Sequence, residues 1–81
     1  MPGPKSLAHI ALGEALREFR TERAISQEEL GYQAGLHRNY VGACERGEIN
    51  LSFAVLLRLS HALEVPLSEL MRRYEQRTRQ A

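Results

Sequence analysis

The sequence has a single cysteine, no aspartate, only one lysine (Lys5) among its 11 basic side chains, and no long apolar run. One cysteine excludes an internal disulfide and fits a reducing compartment. The absence of any apolar stretch near ~18 residues excludes a membrane helix. The start, "MPGPKS", lacks the apolar core of a secretory signal, so a cytoplasmic location is expected. Arginine-for-lysine and the missing aspartate are most simply a GC-rich genome's signature. Net charge is only +1, so the overall balance announces no anionic partner. Its distribution is more informative. Arg72, Arg73, Arg77 and Arg79 stand against Glu75 alone near the end, whereas Glu14, Glu18, Glu22, Glu28 and Glu29 crowd the first half. That asymmetry permits an anionic partner without requiring one.

What is present is ordinary globular material, 43% hydrophobic and 26% charged, in 81 residues. That length suits one small domain. No segment alternates with period two for long enough to make a strand. Helical spacing recurs instead. A first helix is expected from Ser6 or His9 to Arg23, carrying Leu12, Leu16, Phe19 and Ala24. "ISQEEL" (25–30) then offers Ser26 and Glu29 as a capping box, with Ile25 and Leu30 as the hydrophobic staple. This second helix should end near Ala34, where Gly35 can take the left-handed C-terminal conformation. At about two turns it is too short to persist alone and must pack on neighbours. A third helix is expected from Arg38 to Arg46, a fourth from Ser52 to Leu63, and a fifth from Leu67 to Gln76. The expectation is an all-α, compact five-helix bundle, with residues 1–6 as an N-terminal tail, 7–76 as the domain and 77–81 as a C-terminal tail.

Two short helices joined by a glycine-containing turn form a helix-turn-helix pattern. Gly31 is where the two helices should press closest. Leu30, Ala34, Leu36, Val41 and Cys44 fall inward, leaving His37, Arg38, Asn39, Gly42, Ala43 and Arg46 outward with Tyr40 at the border. Hydrogen-bonding and small residues, rather than glutamate and lysine, suit close approach to base edges in a major groove.

Catalytic and metal chemistry find less support. His37 and Cys44 lie two helical turns apart, about 10 Å, too far for one ion with bonds near 2 Å. His9 and His61 have no ligand-spaced partner. There is no Gly-rich phosphate loop, nucleophile elbow or paired acid–base set. No catalytic residue, metal or cofactor is assigned, and an enzyme is the weakest reading.

The residues "LREFRTERAISQEELGYQAGL", "YVGACERGEINLS" and "LLRLSHALEVPLSEL" together resemble the Cro and lambda-repressor-like class of helix-turn-helix transcription regulators, from Leu12 to Leu70. In size and in "LHRNYVGACERGEINLS" the chain is most similar to small controller proteins of restriction–modification systems. The resemblance implies a homodimeric, sequence-specific regulator on a pseudo-palindromic operator. Double-stranded DNA and a second copy are the partners, RNA polymerase is a further partner left open, and no membrane or small-molecule ligand is expected. It implies base reading by Arg38, Asn39, Tyr40 and Ala43, and phosphate binding by Gln27, His37, Arg46 and Asn50. His37 stands where the class often has a serine or threonine cap, and histidine is expected to cap poorly. The resemblance also implies a structural ion pair, Arg20 with Glu45, and a dimer seam on the fifth helix from Leu67, Leu70, Met71 and Tyr74. The basic end, Arg72 to Arg79, reads as a solvated helix tail. Ile49 and Leu51 replace residues that are often basic and proline, and Glu64 one that is often glycine. The alternative is an antitoxin-like or adaptor module that uses the same fold to bind protein.

Overall fold

The computed structural model describes residues 4–79. Five helices follow in order: α1 (Leu7–Glu22), α2 (Gln27–Ala34), α3 (Arg38–Glu45), α4 (Phe53–Leu63) and α5 (Leu67–Arg79), with no strand among the described residues. Three serines start helices by the same mechanism, each side-chain oxygen accepting a backbone N–H that the helix leaves unpaired. Ser6 accepts from His9 at 3.2 Å, Ser26 from Glu29 at 2.9 Å and Ser52 from Val55 at 3.1 Å. Only half of the expected capping box forms, because the Glu29 carboxylate accepts from the Gln33 side chain at 2.9 Å rather than from the Ser26 amide.

The apolar faces of all five helices meet in one core: Ala15, Leu16, Leu30, Ala34, Val41, Cys44, Leu59, Ala62, Leu63 and Leu70 are buried together. Leu70 is 1% exposed. It is therefore corrected from the dimer seam to the core, since a side chain without accessible surface has nothing to offer a second subunit. Between α2 and α3 the chain turns at Gly35 (φ 72°, ψ 33°), and Leu36 N donates back to Gly31 O at 2.7 Å. A side chain at Gly31 would collide with the Leu36 carbonyl, so the missing side chain is what brings the two helices together. Arg58 of α4 holds this turn from outside. Its Nε donates to Ala34 O at 2.9 Å and its Nη2 to Gly35 O at 2.7 Å, satisfying carbonyls that a helix end leaves free.

α5 runs to Arg79, three residues beyond the expected end at Gln76. Residues 77–79 are thus helix rather than tail; residues 1–3 and 80–81 of the expected tails lie outside the described residues. The cause is the charge asymmetry of the sequence. Arg73 pairs with Glu18 and Glu22 of α1 and lies over the Phe19 ring at 3.8 Å, while Arg77 pairs with Glu14 at 2.9 Å and with Glu18. The expectation of a solvated basic tail is corrected for these two arginines, which zip α5 onto α1. Arg72 pairs locally with Glu69.

Among the described residues two that are not glycine, Ala24 and Glu64, carry positive φ, of 58° and 56°. Glu64 closes α4 in the left-handed conformation where the class often has glycine. That conformation costs an L-residue roughly 1–2 kcal/mol. Its exposed pair with Arg23, at 3.3 Å, offsets little of that. Glu64→Gly is therefore expected to stabilise the fold by about 1 kcal/mol, after allowing for glycine's larger unfolded-state entropy. Thermal melting should show this as a rise of roughly 4–8 °C. Glu64→Ala keeps the strained φ and should gain nothing.

Candidate nucleic-acid interface

The exposed edge of α3 begins before its first turn. His37 caps the helix: its Nδ1 accepts from Asn39 N at 3.0 Å. The expectation of poor capping is corrected, because the imidazole nitrogen takes the place of a serine oxygen. His37, Arg38, Asn39 and Arg46 are exposed, and Tyr40 and Ala43 are partly so. Gly42 is not outward, as the helical wheel implied, but buried. A Cβ there would meet Arg46 Nη1 at 3.0 Å and Gln27 Oε1 at 3.4 Å, so its bareness lets those side chains lie across α3.

Beneath this edge sits a polar brace. Glu45, 3% exposed at its side chain, accepts from Arg20 Nε at 2.6 Å and Nη2 at 3.1 Å, and from Gln27 Nε2 at 2.9 Å. Arg20 Nη1 also donates to Ile25 O at 2.9 Å. One carboxylate on α3 thereby ties α1 and α2 to it. Gln27, expected to reach a phosphate, spends one side-chain N–H inside the brace, although it stands at the N-terminus of α2 where helix amides favour anions. Arg17, Arg20, Gln27, Gly42, Glu45 and Arg46 line a polar cleft of about 270 Å³. Arg17 was not singled out from sequence. Its spacing from Arg20, three residues on one helix, was the available signal.

The basic residues of the edge are each held by a carboxylate. Arg38 Nη1 donates to Glu28 Oε2 of α2 at 2.9 Å. Arg46 binds Glu48 twice, Nε to Oε2 at 3.0 Å and Nη2 to Oε1 at 3.2 Å, and Lys5 reaches the same carboxylate at 3.4 Å. The hydrogen bond from Arg46, with Lys5 assisting, holds the Glu48 carboxyl below its usual range, and Glu48 in turn raises Arg46. Asn50, in the loop after α3, meets His9 Nε2 through its Oδ1 at 3.1 Å, and His9 Nδ1 lies 2.6 Å from Ser6 Oγ. The Asn50 amide nitrogen remains the donor end.

Tyr40 keeps its phenolic proton, since burial and then the nearby Cys44 raise it above the ordinary tyrosine value. Cys44 is 2% exposed, and burial followed by the Glu45 charge pushes its thiol up to about 12. Nucleophilicity resides in the thiolate, so this sulfur is a core atom at neutral pH. Among the described residues no three His, Cys or Glu side chains converge as a metal site, and no helix is long and apolar enough to cross a membrane. On α5, Leu67, Met71 and Tyr74 are partly buried. Met71 and Tyr74 line an open apolar cavity of about 170 Å³ with Leu12, Leu51 and Leu56.

Known proteins are similar to this chain in sequence and fold. Control protein C.SmaI of Serratia marcescens is 39% identical over 62 residues, covering 76% of this chain and 74% of that protein. Control protein C.BamHI of Bacillus amyloliquefaciens is 33% identical over 63 residues, covering 76% and 78%. Among solved structures, the restriction-modification controller protein C.AhdI from Aeromonas hydrophila superposes with a TM-score of 0.74 at 44% identity, covering 75% of this chain and 92% of that one. The helix-turn-helix family pattern matches residues 16–70, from α1 into α5 and across the whole brace and the exposed edge of α3. The chain belongs to the helix-turn-helix family of DNA-binding transcription regulators.

Proposed function

We propose that the protein is a homodimeric, sequence-specific regulator of restriction–modification genes that acts by binding DNA and not by catalysis. The observation that carries this is the edge of α3. Arg38 and Asn39 project from a helix whose position is set by the buried Glu45 brace, and a rigid element is what base reading requires. Arg38 would donate to guanine, Asn39 would favour adenine, Ala43 offers methyl contact, and Tyr40 contributes a hydroxyl at the border. Gln27, His37, Arg46, Asn50 and the additional Arg17 would meet phosphates and fix register without specifying sequence. The names of C.SmaI, C.BamHI and C.AhdI support the narrower role in restriction–modification control.

A module this small spans about half an operator, so a second copy would place a second α3 about 34 Å away, one turn of DNA along. The partly buried apolar side chains of Leu67, Met71 and Tyr74, the last two lining the cavity with Leu51 and Leu56, support that seam. Within this reading the domain is residues 7–79, the location is the cytoplasm at the nucleoid, and RNA polymerase is the further partner it admits.

Selection of duplexes from a random library tests the assignment. Arg38→Ala should cost about 1–3 kcal/mol on the selected site and relax preference at one base-pair position. Unchanged affinity and preference would refute the role of α3. The rival reading, a protein-interaction module, draws on the exposed Tyr32 and Phe53 and on the carboxylates that occupy Arg38 and Arg46. It is favoured if binding to duplex DNA shows no steep fall with salt.

A further inference from the structure

Arg38 is the first residue of α3, and its partner Glu28 is the second residue of α2. Their contact, Nη1 to Oε2 at 2.9 Å, lies in the open, with side chains 60% and 73% exposed. An ion pair this wet contributes little to holding a fold together. Its consequence is geometric. Arginine has a long stem with many rotamers, and a free one must be ordered whenever it engages a base. A carboxylate on the neighbouring helix takes one N–H of the guanidinium and leaves Nε and Nη2 as donors. That is the complement guanine needs, with its O6 and N7 acceptors side by side.

The carboxylate also has an electrostatic cost at this place. A negative charge beside a DNA-reading edge opposes every phosphate nearby, whatever the sequence. A group that lowers general affinity favours selectivity when it also discriminates between partners. Glu28 can accept from the amine of cytosine or adenine, but it repels the acceptor edges of guanine and thymine.

We propose that Glu28 is a specificity-determining residue: it and Arg38 form one reading unit, in which the carboxylate holds the guanidinium in guanine register and rejects sequences that turn acceptors toward it. This rests on the DNA-reading assignment of α3. The test uses the full chain and random duplex libraries with the parent, Glu28→Ala, Arg38→Ala and the double variant. Each is then measured on the selected duplex and on a scrambled one.

Glu28→Ala should bind the scrambled duplex more tightly, and its ratio of selected to scrambled affinity should fall about tenfold. The lost preference should map to the base pair that Arg38→Ala relaxes, and the double variant should be no less selective than Arg38→Ala alone, as coupled residues require. Equal tightening on both duplexes with preference intact would overturn the proposal, leaving Glu28 as a mere phosphate repeller. Preference lost at a different base pair would overturn it as well. If Arg38→Ala itself changes no preference, the α3 assignment falls and takes the proposal with it. Failure of Glu28→Ala alone leaves that assignment standing.

Discussion

Glu45→Ala is expected to lower the unfolding free energy by about 3–5 kcal/mol, the range for breaking a buried ion pair from one side. For a domain of this size that approaches the whole of a marginal stability. The magnitude follows from what is left behind. Arg20, 13% exposed at its side chain, loses both hydrogen bonds to the carboxylate and keeps only the one to Ile25 O. Gln27 loses its acceptor as well. Urea denaturation measures the loss directly, with the midpoint falling at unchanged slope if the unfolded state is unaltered. Glu45→Gln keeps the shape and one acceptor oxygen and should fall between the parent and Glu45→Ala. Replacing Arg20 and Glu45 together by apolar residues of similar volume should recover much of the deficit, since no charge is then stranded. A Glu45→Ala protein that kept its stability but lost DNA affinity would move Glu45 from the brace to the interface.

The features legible in the sequence are those that neighbouring residues decide. Ser6, Ser26 and Ser52 cap helices because a hydroxyl reaches an amide three residues on, and Gly35 turns because no Cβ opposes its positive φ. The Arg20–Glu45 contact was accessible only through family resemblance, because 25 residues separate the partners. The contacts of Arg58 with the α2–α3 turn, and of Arg73 and Arg77 of α5 with α1, were missed for the same reason. Each requires knowing which helices meet. Leu70 and Met71 show the limit of periodicity. Both belong to one apolar stripe, but a step of about 100° around the helix sends Leu70 into the core and leaves Met71 only partly buried. Gly42 shows another. The wheel placed it outward correctly for α3 alone, yet Gln27 of α2 and Arg46 at the end of α3 cover it.

Gly13→Ala is the substitution whose sign is most at stake. In an isolated helix alanine is better than glycine by about 1 kcal/mol, so propensity alone makes this change stabilising. Packing reverses it. A Cβ at Gly13 would lie 2.5 Å from the carbonyl oxygens of both Cys44 and Glu45 and 2.8 Å from the Glu45 carbonyl carbon. These are backbone atoms of the last turn of α3, so no rotamer change relieves the clash. α1 and α3 must separate by roughly 1 Å to restore ordinary contact, and overpacking of this kind costs about 1–3 kcal/mol or more. The same displacement pulls on the brace, because Arg20 follows Gly13 by two turns on the same face of α1 and holds Glu45 at 2.6 Å. The net expectation is a loss of up to about 2 kcal/mol by urea unfolding, together with weaker DNA binding in the folded fraction as α3 shifts from its seat. A gain in stability would mean that α1 and α3 do not meet at Gly13. With that contact absent, the spacing of α3 from the first helix would rest on the Arg20–Glu45 brace rather than on close backbone packing.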